Sequence, residues 1–275
     1  MSELAGAFAA SHGPLLIREW EAIPRDQKDR LSKAFLELGR RIEQAKVDVI
    51  VAVAPDHWSN FSLDHVPSVC IGVGAANEGP PEPWMKGFPH REIPGHPGLA
   101  LHLAESALRE GFEPSLSHRL KLDHGICIPL WRMELKRLPS VIPVIVNSIE
   151  PPLPSLERCL AWGRLFRKAI QSYEEKIRVA ILGTGGLSHS IGEKTMGAIY
   201  EDFDRETIAL FSSSEKKLVE FLEAELPAHG NGSEEVRNWL VAHGAAGGRG
   251  FELIDYLPVP TVIVGCGFAS WRVSE

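Results

Sequence analysis

Short β-branched runs alternate with amphipathic stretches along most of this chain, and this alternation constrains the fold more than any other feature. The run Val47–Val53 is short, apolar and followed by Pro55, as is typical of a buried strand. Between Arg25 and Lys46, apolar residues recur at helical spacing. Further strands are predicted at 69–73, 141–147, 178–183 and 261–266, and further helices at 97–109 and 156–173. We therefore predict an α/β fold: a single domain over residues 1–275, with a central, mostly mixed β-sheet flanked by helices.

The longest predicted loop runs from Gly74 to Pro97 and is rich in proline and glycine. Strand and helix patterns continue on both sides of it, so it does not separate two domains. Loops of this length in compact domains are usually functional. We predict that this segment folds into a wall of the active site.

Composition and charge exclude several classes of function. With 275 residues, of which 44% are hydrophobic, the chain can bury a sizeable core. The net charge is −7 and no Lys/Arg-rich stripe occurs, so we expect no nucleic-acid partner. The apolar runs are too short for a membrane span, and residues 1–8 lack the pattern of a signal peptide. The four cysteines are scattered and predict reduced core residues of a cytoplasmic protein.

Two histidines and one glutamate form the combination that points most directly to a chemistry. His12 precedes the abrupt Gly-Pro break at 13–14, His57 follows the predicted strand 47–53, and Glu235 lies in the helix-like run 233–243. Two histidines and one carboxylate are the protein ligands of a facial-triad ferrous site, which leaves positions open for substrate and O₂. The same set also suits catalytic zinc, so the residue types alone leave the metal undecided.

Two further histidines stand in similar settings. His189 follows the predicted strand 178–183 through a Gly-Gly turn, and His124 lies in the run Leu122–Gly125. Open α/β sheets bind ligands at strand ends, which favours a shared site. An ordinary surface or core role is the interpretation for the remaining histidines: His65, His90, His96, His102, His118, His229 and His243.

Seven short motifs follow one another in order between about residue 8 and about residue 245: Ser11–Pro14, Pro55–Phe61, Ile93–Ala100, Leu122–Leu130, Ile142–Asn147, Gly183–His189 and Glu235–Trp239. Each is weak alone, but seven in order are specific. Together they resemble the class III extradiol ring-cleavage dioxygenases, the family of the protocatechuate 4,5-dioxygenase β subunit. The part from 247 to 275 matches this pattern less well.

The resemblance implies non-haem Fe(II) and O₂-dependent opening of a catechol ring beside its two hydroxyls, in the catabolism of aromatic compounds. Carried over by motif, the iron ligands are His12, His57 and Glu235, with Glu235 preferred over its neighbour Glu234. His189 matches the family's catalytic base. His124 matches the second active-site histidine, which hydrogen-bonds substrate or oxygen.

This chemistry explains why such residue types are needed. A catechol binds a ferrous ion through both oxygens readily only if a proton is removed, and a neutral histidine near pH 7 can take that proton. Fe(II) then holds catecholate and O₂ together, which replaces an improbable three-body encounter with a positioned one.

Several neighbouring features bear on the site. Asp56 and Asp123 each precede a histidine and are expected either to orient it or simply to cap their loops. Arg91, Arg119 and Arg249 are candidates to meet a substrate carboxylate, with surface solvation as the alternative.

The resemblance also bears on substrate and partners. In the protocatechuate enzymes a small α subunit covers the active site, and no segment here matches it, so a partner chain or the chain's own loops would close the site. We also expect a homo-oligomer. The substrate is predicted to be a catechol carrying a carboxylate or a second ring.

Three other interpretations remain open at this stage. The same pocket suits a zinc hydrolase. The fold is also shared by the Memo proteins, which are relatives without clear dioxygenase activity, so a non-enzymatic binding protein is an alternative. A partner-dependent subunit whose site is retained but idle is the third.

Overall fold

An eight-stranded sheet runs through the middle of the computed structural model, which describes residues 1–273. The strands are β1 (Glu3–Ala10), β2 (Val49–Ala54), β3 (Val69–Gly72), β4 (Ala76–Gly79), β5 (Arg91–Pro94), β6 (Ser115–Ser117), β7 (Ser140–Val146), β8 (Arg178–Thr184), β9 (Phe251–Val259) and β10 (Val264–Trp271). The helices are α1 (Leu15–Arg18), α2 (Arg25–Gln44), α3 (Pro97–Arg109), α4 (His124–Arg132), α5 (Leu156–Ser172), α6 (Glu201–Leu210), α7 (Glu215–Glu225) and α8 (Val236–Ala245). Short 3₁₀ turns lie at 20–22, 226–228, 231–235 and 260–262.

The sheet is mixed, with a parallel centre and antiparallel additions. Its strand order is β6-β3-β7-β2-β8-β1-β10-β9. The four neighbours β7, β2, β8 and β1 run parallel, whereas β10 is antiparallel to both β1 and β9, and β3 is antiparallel to β7. The prediction of an α/β fold with a mixed central sheet flanked by helices is confirmed.

Strand β2 shows why its sequence is apolar throughout. Side chains of a strand alternate between faces, and a parallel strand at the centre of a sheet is covered on both. Val49, Val51 and Val53 join the core cluster that contains buried residues of α3, α5 and α8. Ile50, Ala52 and Ala54 join the cluster built with α2 and α4. A continuous apolar run is therefore required here.

Most predicted elements form within a few residues of their expected bounds, but the predicted strand 261–266 is partly wrong. Residues 260–262 form a 3₁₀ turn, Ile263 adopts a left-handed conformation with φ 54°, and β10 begins only at Val264. The turn reverses the chain between β9 and β10. Strands β1 and β9 were not predicted, because Glu3–Ala10 is dominated by alanine and glycine and Phe251–Val259 carries charges.

The predicted loop 74–97 is partly structured, because β4 and β5 pair within it as an antiparallel hairpin. Its central part reaches the site: Glu82 hydrogen-bonds His124, and the Trp84 ring lies 5.5 Å from the His124 ring. The segment thus supports His124, but none of its residues lines the cavity that contains the five site residues, so the predicted active-site wall is not formed by it.

The structure also bears on membrane-spanning helices and on the four cysteines. Within residues 1–273, no helix combines the length and the apolar character needed to cross a membrane. All four cysteines are buried and unpaired: Cys70, Cys127, Cys159 and Cys266. Burial raises the pKa of the Cys70 thiol to about 11, which suppresses its reactivity as a thiolate.

Candidate metal centre and active site

The five predicted site residues meet at one edge of the sheet. His12 follows the end of β1 by two residues, His57 follows the end of β2 by three, and His189 follows the end of β8 by five. These three strands are parallel neighbours, so their carboxyl ends lie side by side at the same edge. His124 opens α4 and Glu235 ends the 3₁₀ turn before α8. Residues far apart in sequence are thereby brought together.

The histidine nitrogens and one carboxylate form a tight cluster. One ring nitrogen from each of His12, His57 and His124 lies within 4.8 Å of the others. The Glu235 carboxylate reaches His12 Nε2 at 3.4 Å and His57 Nε2 at 3.5 Å through different oxygens. His189 Nε2 lies 3.9 Å from Glu235 Oε1. The five residues therefore each place a nitrogen or oxygen atom in the same small region.

Hydrogen bonds on the other ring nitrogens select the tautomers. Nδ1 of His57 lies 3.1 Å from the Asp123 carboxylate, Nδ1 of His124 lies 2.7 Å from Glu82, and Nδ1 of His189 lies 2.9 Å from the Leu187 carbonyl. A backbone carbonyl oxygen and the oxygens of an ionised carboxylate can accept hydrogen bonds but cannot donate them. Nδ1 is therefore the donor in all three contacts. In the neutral ring, Nε2 then carries a lone pair toward the cluster. This is the arrangement that metal-binding and proton-accepting histidines require.

Glu235 and its neighbour Glu234 have opposite environments. Glu235 is 4% exposed, and its Oε2 accepts a 2.7 Å hydrogen bond from the Gly186 N–H. Glu234 instead pairs with Arg237, away from the histidines. Gly185 lets the carboxylate approach, since a Cβ there would stand 2.4 Å from Glu235 Oε2, and its φ of +119° disfavours side chains. The geometry thus favours Glu235 as the cluster carboxylate.

The two aspartates that precede histidines differ in role. Asp123 Oδ2 accepts from both the backbone N–H and Nδ1 of His57, while its Oδ1 caps α4 by accepting from the Gly125 N–H. Asp123 therefore orients His57 and also starts the helix that carries His124. Asp56 accepts hydrogen bonds from Asn60 and from the Phe61 N–H, so it only organises its own loop.

The electrostatics of the cluster follow from burial and close opposite charges. Burial opposes the charged form of His57, but Asp123 and Glu235 outweigh it and raise the pKa of His57 to about 10. Burial and the nearby His57 lower the pKa of His124 to about 4. Burial opposes ionisation of Glu235, yet His12 and the other histidines hold its pKa well below the ordinary range. Burial and close charges therefore shift the pKa values of His57 and His124 in opposite directions.

The donor set fits a divalent transition-metal ion. Imidazole nitrogens and a carboxylate are ligands that iron and zinc accept. The Glu235 carboxylate receives one backbone hydrogen bond and otherwise faces ring nitrogens. Behind the inward nitrogens, Thr184 contacts Nδ1 of His12 at 3.1 Å, as Asp123 and Glu82 do for their histidines. Such outer contacts fix the ring orientation of metal ligands.

The loop that carries His189 is attached to the segment before Glu235. Asn231 exchanges two hydrogen bonds with the backbone of Ile191, and the Gly232 N–H donates to the His189 carbonyl. A Cβ at Gly232 would stand 2.1 Å from His189 Nε2, so a larger residue would displace the ring. The positions of His189 and Glu235 are therefore linked.

A cavity of about 490 Å³ opens above the cluster. His12, His57, His124, His189 and Glu235 all lie on its wall. The rest of the lining is mostly apolar and includes Trp58, which is 46% exposed and has a left-handed φ of 59°. A pocket with an apolar wall and a few converging polar groups is the usual form of a small-molecule site.

Several contributors to the site were not predicted from the sequence. The cluster histidines are contacted by Glu82, Thr184 and Trp84. The sequence signal for Glu82 and Trp84 was their position in the long predicted loop, and Thr184 had no such signal. None of the three candidate arginines, for which surface solvation was the alternative, lines the cavity. Arg91 instead stacks on Trp131 at 3.9 Å, and the arginine on the cavity wall is Arg18.

Comparisons with known proteins agree on one family. Residues 6–267 match the sequence model described as the catalytic LigB subunit of aromatic ring-opening dioxygenase. A 2,3-dihydroxyphenylpropionate/2,3-dihydroxicinnamic acid 1,2-dioxygenase of Cupriavidus necator is 27% identical over 303 residues, covering 92% of this chain and 90% of that protein. A gallate dioxygenase of Pseudomonas putida is 31% identical over 166 residues, covering 56% of this chain and 47% of that protein.

Among solved structures, an uncharacterized protein from Escherichia coli K12 is similar in fold. The TM-score is 0.64 at 14% sequence identity, and the match covers 97% of this chain and 100% of the other. At this identity the similarity concerns the fold alone.

Proposed function

Because the chain belongs to the LigB family of catalytic subunits of aromatic ring-opening dioxygenases, we propose that it binds Fe(II) through His12, His57 and Glu235 and opens a catechol ring beside its two hydroxyls. The carrying observation is the convergence of two histidine Nε2 atoms on the two oxygens of one buried carboxylate, at 3.4 and 3.5 Å. Bound there, Fe(II) would supply a Lewis acid and the site at which catecholate and O₂ meet.

His189 is proposed as the general base. Its Nδ1 donates to the Leu187 carbonyl, so Nε2 of the neutral ring is a free acceptor on the cavity wall. A catechol bound at the metal site would present a hydroxyl to this atom, which lies 3.9 Å from Glu235 Oε1. His189 Nε2 takes that proton and can return it to the ring-opened product.

His124 is proposed to assist with the proton and oxygen chemistry. Its ring centroid lies 4.0 Å from that of His57, and Glu82 accepts from its Nδ1. Its Nε2 is free to hydrogen-bond substrate or oxygen. Because the ring nitrogens of His12, His57 and His124 are mutually close, a three-histidine ligand set is the alternative, and this set is also one that zinc uses.

The cavity supports an aromatic substrate larger than catechol itself. Its volume of about 490 Å³ exceeds what one ring requires, and the surplus wall is apolar. We propose a catechol with a carboxylate or a second ring, acted on in the cytoplasm during aromatic catabolism. We also propose that the enzyme works as a homo-oligomer. Oxygen uptake by the purified chain alone, with and without candidate partner chains, tests the need for a small α subunit.

The decisive experiment begins with anaerobic loading of ferrous iron. Oxygen uptake is then recorded on protocatechuate, gallate, dihydroxyphenylpropionate and dihydroxybiphenyl. At least one should be consumed, and the product should equal substrate plus two oxygen atoms, both labelled when heavy O₂ is used. If fresh ferrous iron supports no uptake on any of the four, the non-enzymatic or partner-dependent alternatives replace the proposal.

Substitution of a ligand tests the metal assignment directly. His57→Ala should lose iron and activity together, whereas His65→Ala, in the exposed loop that follows, should keep both. Metal content is measured by elemental analysis after gel filtration. Full iron occupancy in His57→Ala, or turnover with zinc alone, would contradict the assignment. Loss of iron in His124→Ala would favour the three-histidine set.

A further inference from the structure

Arg18 stands out on the wall of the active-site cavity. It ends helix α1, the short helix that follows His12 and the Gly-Pro break. Its side chain is exposed and lines the same cavity as the five cluster residues. Within residues 1–273 its guanidinium makes no hydrogen bond or ion pair, whereas most other arginines do. It is therefore a cation without a protein counter-ion, on the wall of the same cavity as the histidine cluster.

No other lysine or arginine of the described chain lines this cavity. Arg91 is occupied by stacking on Trp131, and Arg132 stacks on Trp20 and donates to the Leu16 carbonyl. The carboxylate in the lining, Glu235, is already engaged by the Gly186 N–H and the histidines. A negative group that enters the cavity therefore finds one unengaged cation.

The wall around the cavity is apolar. Its exposed members include Trp58 at 46%, Ile191 at 49% and Met196 at 59%. The side chain of Asn231 is committed to the backbone of Ile191, so it offers little to a ligand. The rest of the cavity wall thus accommodates hydrocarbon. An arginine beside apolar surface binds a carboxylate more strongly than one in open water, because screening by solvent is weaker and two parallel N–H···O bonds can form.

We propose that Arg18 binds the carboxylate of the substrate, so that the substrate is a catechol bearing an acidic substituent and not a neutral bicyclic catechol. This assignment rests on the proposed ring-opening function. Arg18 acts as a specificity residue: it holds the acid end while the two hydroxyls meet the histidine cluster. Its removal should weaken binding of acidic substrates and leave the chemical step intact.

The test compares matched acids and esters in steady-state kinetics. The probes are protocatechuate and 3-(2,3-dihydroxyphenyl)propionate, each with its methyl ester, which keeps the ring and the shape but removes the charge. Arg18→Ala should lower kcat/KM for the acid by roughly 10- to 100-fold, the usual scale of a charged hydrogen bond. The change should lie in KM, and the ester should be unaffected.

Two further variants control the interpretation. Arg18→Lys keeps the charge without the planar fork and should recover part of the loss. Arg25→Ala removes another exposed arginine, at the start of α2 and outside the cavity lining, and should leave the preference for the acid unchanged. In the unmodified enzyme, the preference for acid over ester should fall as salt is added. Equal effects of Arg18→Ala on acid and ester, or no effect on the acid, would overturn the proposal.

A binding experiment separates this proposal from the catalytic one. 3-Phenylpropionate has no hydroxyls and should bind the protein without needing turnover. Binding is followed by titration calorimetry, with Arg18→Ala compared with the unmodified chain. Binding that depends on Arg18, in a protein that opens no catechol, would preserve the carboxylate site and reject the proposed function. If the protein opens catechols but binds acids equally well without Arg18, the proposed function stands and the carboxylate site is rejected.

Discussion

At the scale of single residues, the candidate site depends on side chains that hold the histidines as much as on the histidines themselves. Asp123 receives both the backbone N–H and Nδ1 of His57, Glu82 receives Nδ1 of His124, and the Leu187 carbonyl receives Nδ1 of His189. Each contact sets which nitrogen faces the cluster. Replacing the side chain that accepts such a hydrogen bond should alter metal binding or proton transfer, although every metal ligand is still present.

The first prediction at this scale concerns Asp123. Asp123→Ala should weaken Fe(II) binding by about 10- to 100-fold, because His57 loses the acceptor that fixes its tautomer and ring orientation. Titration of the metal-free protein with ferrous iron under argon measures the change. Asp56→Ala is the matched control, since Asp56 also precedes a histidine but bonds only to Asn60 and Phe61. Equal losses in the two variants would assign Asp123 a purely structural role.

The second prediction concerns His189. His189→Ala should retain iron and reduce kcat by roughly 10²–10⁴-fold, the usual effect of a lost general base. Its Nε2 lies 3.9 Å from Glu235 Oε1, and its Nδ1 is held by the Leu187 carbonyl, so Nε2 of the neutral ring is the proton acceptor. Iron content and single-turnover rates are measured on the same preparation. Loss of iron would show that a ligand had been mistaken for a base, and unchanged turnover would remove the role.

At the scale of elements, the His189 loop is held by neighbours from two other parts of the fold. Asp204, on α6, accepts hydrogen bonds from the N–H and the hydroxyl of Ser188 and from the hydroxyl of Tyr256 on β9. His189 and Cys266 are the other titratable groups that act on it electrostatically. Burial raises the pKa of Asp204 to about 6, although these donors favour its ionised form. A helix, a loop and a strand therefore meet on one carboxyl group.

The prediction at this scale is a pH-dependent stability. The folded-state pKa of Asp204 is raised, so its contribution to the free energy of unfolding is complete below about pH 4 and is lost as pH rises through about 6. A shift of this size corresponds to about 2–3 kcal/mol. The asparagine in Asp204→Asn cannot ionise. The free energy of unfolding of the wild type minus that of the variant should therefore fall by about this amount between pH 4 and pH 7. Urea unfolding at several pH values measures it, and a difference that rises with pH would contradict the sign.

At the scale of the whole molecule, the C-terminal strands β9 and β10 complete the site. Strand β10 lies between β1 and β9, and the Gly267 N–H donates to the Ser11 hydroxyl beside His12. The Gly265 carbonyl accepts from the Leu187 N–H, and its N–H donates to the Ser188 carbonyl. The last strand thus contacts both the His12 and the His189 segments.

We therefore predict that a chain ending at residue 247 does not fold. It loses buried side chains that are worth about 1.5–3 kcal/mol each, and their sum is as large as the roughly 5–15 kcal/mol by which domains are stable. These include Tyr256, Leu257, Val259, Val264, Phe268 and Trp271. Circular dichroism and iron binding of the truncated chain provide the measurement. A cooperative unfolding transition with bound iron would show that β9 and β10 are dispensable.

Local pattern was sufficient to predict much of the fold. The helix at 97–109 has the bounds that were expected, and α5 and β8 agree within one residue, because apolar spacing over one element depends only on which face is buried. Strand β1 was not predicted, since its small residues have weak strand propensity and it is stabilised by β8 and β10 on either side. The turn at 260–263 was mistaken for a strand, because Thr261–Val264 is β-branched throughout.

The sequence by itself determined the type of sheet, the strand ends that carry histidines, and the order of motifs that resembles the family. Only the tertiary structure decided which groups face them: Glu82 meets His124 across 42 residues, Asp123 meets His57 across 66, and Glu235 meets Gly186 across 49. It also placed Arg18, and none of the three candidate arginines, on the cavity wall. The physical reason is that apolar periodicity indicates only which face of one element is buried. A hydrogen bond between two elements depends on the path that the loops take across the edge of the sheet. The spacing of residues within one element does not indicate that path.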